Sequence, residues 1–95
     1  MNIGHVIKTS REKKGIKQKD LALLSNISPA YLSQIEKNIK DPNLNILNSI
    51  SNSLNIPLPV LFFMSLNVND IEGNKREAFK LIQPSINAML NEFFI

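Results

Sequence analysis

The side chains best suited to chemistry in this sequence are its lysines and arginines, and they are unevenly placed. Residues 1–40 hold eight Lys or Arg and three Asp or Glu, a net charge of +5, whereas residues 41–95 hold three bases and five acids, a net charge of −2. Clustered cationic side chains attract polyanions such as nucleic acid. The pattern indicates an anionic partner for the first 40 residues, although lysines that only solvate a helix surface give the same pattern.

Residues suited to metal binding or covalent catalysis are nearly absent. The chain has no Cys and a single His, His5, which argues against a disulfide framework, a thiolate metal site and a His-based triad. The carboxylates are scattered, Tyr31 lacks a surrounding Arg or His cluster, and the three glycines form no phosphate-binding loop. We therefore expect no enzyme activity, no metal and no cofactor.

Length and hydropathy favour one small domain in the cytoplasm. A chain of 95 residues suits a single domain, and its amino-terminal segment is charged rather than apolar like a signal peptide. The longest apolar run, Leu58–Met64, is too short for a membrane span and contains Pro59. We expect a cytoplasmic protein without a membrane segment.

Apolar residues recur at helical spacing, which predicts an all-α fold. The predicted helices cover residues 3–14, 18–25, 29–37 and 43–54, with a short fifth helix around residues 60–63. Asn2, Ser28 and Asn43 are typical N-cap residues. Pro29 suits the first position of a helix, and Gly15 suits a left-handed residue just beyond one.

The carboxyl-terminal third differs from the rest of the chain. Residues 67–74 are polar and predict a linker between a domain at 1–66 and a helical segment at 75–95. Pro84 interrupts that segment, so we expect one kinked helix or two short helices. Its apolar residues share a face and are the predicted dimer or partner interface: Phe79, Ile82, Ile86, Met89, Leu90 and Phe93.

The stretch Gln18–Asn38, with the sequence QKDLALLSNISPAYLSQIEKN, resembles the Cro/phage-repressor (XRE) helix-turn-helix family. The resemblance continues through Asp41-Pro42-Asn43 and an apolar series, and it extends back to the first helix. It covers about residues 3–63, and the matching positions outside the quoted stretch are Ile7, Arg11, Gly15, Leu47, Ile50, Leu54 and Ile56. The resemblance implies a five-helix, lambda-repressor-like domain followed by a C-terminal helical segment.

The resemblance also implies which residues meet DNA, because the third helix of this fold enters the major groove. Gln34 is suited to adenine N6 and N7, and Ala30 to a thymine methyl group. The predicted base-contacting residues are Ala30, Tyr31, Ser33 and Gln34. The predicted phosphate-contacting residues are Lys17, Gln18, Lys19, Ser28, Lys37, Asn38 and Lys40. For Arg11 and Glu36 the resemblance implies a structural ion pair between the first and third helices.

These features predict a sequence-specific DNA-binding transcriptional regulator. The expected form is a repressor of phage-repressor or restriction–modification controller type, which binds an inverted repeat of double-stranded DNA as a homodimer. Two alternatives remain open: an antitoxin whose C-terminal stripe wraps a toxin, or an interaction module without specific DNA binding. Toxin and RNA polymerase are the protein partners considered, and the C-terminal helix packing on its own domain is the plainest alternative to dimerisation.

Overall fold

A computed structural model describes all residues, 1–95, and has an all-α architecture, as the sequence predicts. Six α-helices follow one another without any strand. They are α1 (Ile3–Lys13), α2 (Gln18–Leu24), α3 (Pro29–Glu36), α4 (Leu44–Leu54), α5 (Leu58–Ser65) and α6 (Arg76–Phe94). Two short 3-10 turns, Val68–Asp70 and Gly73–Lys75, occupy most of the region between α5 and α6.

Local capping explains where α1, α3 and α4 begin and where α1 and α4 end. The Asn2, Ser28 and Asn43 side chains accept hydrogen bonds from the backbone N–H three residues later, at 3.2, 3.0 and 2.9 Å. Each bond satisfies one of the donors that a helix start leaves free, which confirms the three predicted N-caps. Gly15 has φ +70° and Asn55 has φ +57°, so left-handed residues end α1 and α4.

The first five helices enclose one apolar core. Helix α1 packs on α3 and α5, α2 packs on α3 and α4, and α4 packs on α5. The buried core comprises Val6, Ile7, Leu21, Ala22, Leu32, Ile35, Leu47, Ile50, Leu54, Ile56 and Leu61. Burial of each large aliphatic side chain contributes about 1.5–3 kcal/mol.

No single helix is long and apolar enough to cross a membrane. Helices α4 and α5 reach the required length only when taken together, and the pair is bent by 102°.

The region predicted as a linker is a structured turn. The Asn67 N–H donates to Asp70 Oδ2 at 2.8 Å, which holds the start of the first 3-10 turn. This backbone hydrogen bond is the main reason that the pKa of the exposed Asp70 carboxyl is lowered. Residues 67–74 therefore connect α5 and α6 with a defined geometry.

Helix α6 runs unbroken through Pro84, so the segment forms one helix rather than two. It is tied to the domain by two side-chain hydrogen bonds. Gln83 Nε2 donates to the Leu66 carbonyl at 2.9 Å, and Lys13 Nζ of α1 donates to Asn91 Oδ1 at 2.8 Å. Beyond these polar ties, Phe94 and Ile95 pack against the core.

The apolar face of α6, predicted as a dimer or partner interface, is divided between the domain and solvent. Phe79 is 6% exposed, and its ring centroid lies 6.3 Å from that of Phe63 in α5. Ile86 and Leu90 are half-buried. The remaining predicted interface residues are open to solvent, with Ile82 49%, Met89 53% and Phe93 73% exposed.

Candidate nucleic-acid interface

Helices α2 and α3 are joined by a short turn that fixes their relative direction. Asn26 adopts φ +58°, and the Ile27 N–H donates to the Ala22 carbonyl at 3.0 Å, which closes the end of α2. Ser28 then caps α3, whose first residue is Pro29. Below the turn, the buried Ser25 accepts a hydrogen bond from Ser49 of α4 through its carbonyl at 3.0 Å. Helix α2 packs on both α3 and α4, so the two helices are held on the domain as one unit.

Helix α3 separates its side chains into an inner and an outer face. Leu32, Ile35 and Glu36 are buried and hold the helix on the domain. The outer face carries three exposed residues, Pro29, Ala30 and Gln34. The other two predicted base-contacting residues, Tyr31 and Ser33, are half-buried, and the Tyr31 ring packs against the core.

The buried carboxylate of Glu36 links three helices. Its Oε2 accepts a hydrogen bond from Arg11 Nε at 2.8 Å, and its Oε1 accepts from Arg11 Nη2 at 3.1 Å and from Gln18 Nε2 at 3.0 Å. The Arg11 and Glu36 side chains are only 10% and 2% exposed. The hydrogen bond to Glu36 is the main reason that the pKa of Arg11 is raised. Such a two-point pairing fixes both position and orientation.

Gln18 therefore has a structural role that the sequence does not reveal. Its amide was expected to donate to a DNA phosphate, but in the structure that donor is bonded to Glu36 and the residue is half-buried. A phosphate contact from the Gln18 side chain is left with only the second amide hydrogen. The bond had no signal in the sequence because it depends on where α2 lies relative to the Arg11–Glu36 pair.

Asn38 is likewise occupied within the fold. Its Oδ1 accepts from the Gly4 N–H at 3.2 Å, and its Nδ2 donates to Asn2 Oδ1 at 2.6 Å, so it clasps the end of α3 to the start of α1. A Cβ at Gly4 would collide with the Ile35 carbonyl, which shows how closely the two helices approach. These bonds leave the Asn38 side chain a single free amide hydrogen for a phosphate contact, as in Gln18.

The four lysines predicted to neutralise phosphates are free to do so. Lys17 and Lys19 lie at the start of α2, and Lys37 and Lys40 follow the end of α3. All four side chains are exposed, and none pairs with a carboxylate. Unpaired ammonium groups thus precede α2 and follow α3 in the chain, and the Gln18–Glu36 hydrogen bond brings the start of α2 to the carboxyl end of α3.

The arrangement of α2, the turn and α3 defines a helix-turn-helix domain. A family model described as helix-turn-helix matches residues 7–61, which is more than half of the chain. The chain therefore belongs to the helix-turn-helix family, in its XRE-type branch, as the sequence resemblance predicts.

Individual relatives agree with this assignment. The chain is 29% identical to the HTH-type transcriptional regulator ImmR of Bacillus subtilis, over 97% of this chain and 68% of ImmR. It is 33% identical to the ImmF control region 10 kDa protein of Bacillus phage phi105, over 80% of this chain and 84% of that protein. The relatives with a named function are transcriptional regulators rather than enzymes.

A solved structure shares the fold over most of the chain. The clp gene regulator ClgR from Corynebacterium glutamicum superposes with a TM-score of 0.69 at 21% identity, over 88% of this chain and 89% of that one. Several other regulators match 62% or 63% of this chain. The matched region spans about two fifths of the length of each of these relatives. These longer proteins therefore share only part of their length with this chain.

Proposed function

We propose that this protein is a transcriptional regulator that binds double-stranded DNA sequence-specifically through the outer face of α3. The observation that supports the proposal most directly is the division of α3 into a buried face and an exposed face. Leu32, Ile35 and Glu36 anchor the helix, while Ala30 and Gln34 face outward one helical turn apart. A helix held in this way can enter a major groove with its side chains directed at base edges.

Each outward side chain has a proposed partner. Gln34 has the amide geometry to donate to adenine N7 and accept from adenine N6, and Ala30 presents a methyl group to thymine. Ser33 and the accessible part of Tyr31 contribute further base contacts. The proposed phosphate contacts are Lys17, Lys19, Ser28, Lys37 and Lys40, with a lesser contribution from Gln18. These lysines supply affinity that is largely independent of sequence.

We further propose that residues 75–95 mediate homodimerisation through the exposed stripe of α6, defined as Ile82, Met89 and Phe93. These residues recur at intervals of seven and four, so they share one face of the helix. Soluble domains rarely leave such an apolar stripe open unless it meets a partner. By their exposed fractions, the three side chains offer on the order of 200–300 Å² per protomer. A stable interface needs about 800 Å² per partner, so the stripe needs additional surface.

A second apolar surface lies beside α6 and can supply that area. Met1, Pro59, Phe62, Phe63 and Leu66 line an open groove along α5. Phe63 forms part of the groove and also packs on Phe79, so α6 borders the groove directly. Charged residues are absent from residues 42–69, which include all of α4 and α5. We propose that the stripe of one copy, together with this groove, contacts a second copy across a twofold axis.

Regulation by occupancy is the proposed mode of action. The surfaces of these 95 residues support DNA binding and self-association, and a dimer bound over a promoter blocks polymerase without any other activity. We therefore propose a repressor of phage-repressor or restriction–modification controller type that binds an inverted repeat in the cytoplasm. The match to the regulator ImmR covers 97% of this chain and so includes this chain's own helix-turn-helix domain, which supports the regulatory assignment.

Binding to two DNA duplexes tests the proposal directly. One duplex carries the region upstream of the protein's own gene, and the control carries the same bases in scrambled order, both at two salt concentrations. We expect the upstream segment to bind at least about 10³-fold more tightly than the scramble. Equal, weak and steeply salt-dependent binding to both duplexes would contradict sequence-specific recognition.

The exposed stripe of α6 also supports a second candidate function, that of an antitoxin. In that case Ile82, Met89 and Phe93 bind a toxin rather than a second copy, and DNA binding serves autoregulation. A monomer in solution that forms a stable complex with the product of an adjacent gene would favour this function. Failure of both DNA binding and dimerisation would favour a protein-interaction module.

A further inference from the structure

The outer face of α3 offers no side chain of the types that usually read G·C pairs. Residues 28–35 contain no Lys, Arg, Asp or Glu. Arg and Lys are the usual readers of guanine O6 and N7, and Asp and Glu accept from cytosine N4. The single acid of α3, Glu36, is buried and accepts hydrogen bonds from Arg11 and Gln18. Neither G·C-reading chemistry is therefore available along this helix.

The groups that α3 does expose match A·T pairs. Pro29 and Ala30 form the first turn, which Ser28 holds by accepting a 3.0 Å hydrogen bond from the Tyr31 N–H. Both are exposed, so the leading end of the helix is apolar and fits the C5 methyl group of thymine. Gln34 lies four residues after Ala30, on the same face, and its amide fits the paired donor and acceptor of adenine.

From this composition we infer that the half-site under α3 is rich in A·T pairs and is recognised in part through thymine methyl groups. The inference rests on the proposed function and extends it from DNA in general to a class of operator. The free cations Lys37 and Lys40 follow the end of α3 in the chain. Eight helical residues span about 12 Å, so these lysines lie at the opposite end of the helix from Ala30.

Selection followed by base substitution tests the inference. The full 95-residue chain selects duplexes from a randomised library, and the selected half-sites are expected to contain mostly A·T pairs. Thymines in a selected half-site are then replaced by deoxyuridine, which lacks the methyl group and pairs identically. We expect the dissociation constant to rise about fourfold for each methyl group in apolar contact. The matched control places the same number of deoxyuridines in the flanking sequence, where affinity should not change.

A protein variant locates the methyl contact. Ala30→Gly removes the Cβ that faces solvent at the second position of α3, and a thermal melt verifies that the variant folds. We expect Ala30→Gly to bind the thymine duplex more weakly and to lose part of its sensitivity to deoxyuridine. If the variant does not fold, the deoxyuridine result with the unaltered chain still decides the question.

The outcomes separate this inference from the proposed function. G·C-rich selected half-sites, or selected half-sites whose binding is indifferent to deoxyuridine, would overturn the inference while leaving sequence-specific DNA binding intact. A library from which no sequence is enriched would instead overturn the proposed function, and the inference with it. Enrichment of A·T-rich half-sites with a methyl-dependent affinity supports both.

Discussion

Glu36 is the residue on which the integrity of the two-helix unit depends most. Its carboxylate accepts three hydrogen bonds, two from Arg11 and one from Gln18, in a site that excludes water. We predict that Glu36→Ala lowers the free energy of unfolding by about 3–5 kcal/mol, because the Arg11 guanidinium is left buried without its counter-charge and keeps only its hydrogen bond to the Ile16 carbonyl. Urea denaturation followed by circular dichroism measures this decrease.

A double variant separates two contributions to the free energy of unfolding. One is the cost of leaving a buried charge without its counter-charge, and the other is the net contribution of the ion pair. Arg11→Met with Glu36→Leu removes both charges and keeps most of the volume, so it should be clearly more stable than Glu36→Ala. A double variant as unstable as the single one would show that the ion pair itself supplies net stability. Neither variant should alter DNA sequence preference once the folded fraction is taken into account.

Substitution of Gln34 tests whether a single side chain of α3 recognises a base. It is exposed, contributes nothing to the core and lies on the outer face of α3. We predict that Gln34→Ala weakens binding to the cognate half-site by about 1–3 kcal/mol and relaxes the preference at one base pair. Competition binding against duplexes altered at single positions measures both effects.

Lys40→Ala is the matched control. Like Gln34→Ala it truncates an exposed side chain to alanine, but the group that it removes is an ammonium proposed to bind a phosphate. It should weaken binding to all sequences alike and reduce the salt slope by about one, since one phosphate is no longer neutralised. A sequence-selective weakening in Lys40→Ala, or an unaltered preference in Gln34→Ala, would contradict these assignments.

Among the elements, α1 to α4 are predicted from the sequence to within about one residue at their ends. Their boundaries depend on local chemistry: the caps at Asn2, Ser28 and Asn43, and the left-handed Gly15, act within a single turn. The surroundings of Gln18 and Asn38 are not predictable in this way. Their amides bond to residues 18 to 36 positions away, so their roles follow only from the packed helices.

Helix α6 is the element for which local chemistry is least informative. Pro84 predicts a kink or a break, because it lacks an N–H and crowds the preceding turn, but the helix continues through it. The periodicity of α6 identifies an apolar face correctly, yet it does not indicate how the face is shared. Phe79 is covered by the domain and Phe93 is exposed, and only the fold distinguishes them.

The exposed stripe of α6 yields a prediction at the element scale. Met89→Glu places a charge in the middle of the stripe, and it should convert a dimer into a monomer without unfolding the chain. Leu81→Glu is the matched control, since Leu81 is 80% exposed and lies off the stripe, and it should leave the mass unchanged. Analytical ultracentrifugation measures both masses. Identical masses for the two variants and the unaltered chain would show that the stripe does not mediate self-association.

At the scale of the whole molecule, the positive charge and the exposed apolar stripe lie in different parts of the chain. The net positive charge lies in the first 40 residues, which include the whole of α2 and α3, and the exposed apolar stripe lies in the last 20. The sequence predicts the charge part of this division from composition and the apolar face from its periodicity, whereas the exposure of the stripe follows only from the fold. The proposed base-contacting residues are specified only by resemblance to the family, because exposed polar residues on a helix have no distinctive periodicity of their own.

The dimensions of the molecule lead to a prediction about operator geometry. The molecule extends 41 Å in its longest direction. A twofold dimer with α3 displaced about 17 Å from the axis places its two recognition helices one DNA turn, about 34 Å, apart. A chain of this size can therefore span two successive major grooves as a dimer.

Insertion of about 5 base pairs, half a DNA turn, between the half-sites moves the second half-site to the opposite face of the DNA. We predict that affinity then falls by about 10²- to 10⁴-fold, because each dimer engages a single half-site. The same insertion outside the inverted repeat should have no effect, and the Met89→Glu monomer should be insensitive to either insertion. Titration of labelled duplexes measures all four combinations. An unaltered chain that tolerates the internal insertion would bind its half-sites independently, and the proposed rigid twofold dimer would be wrong.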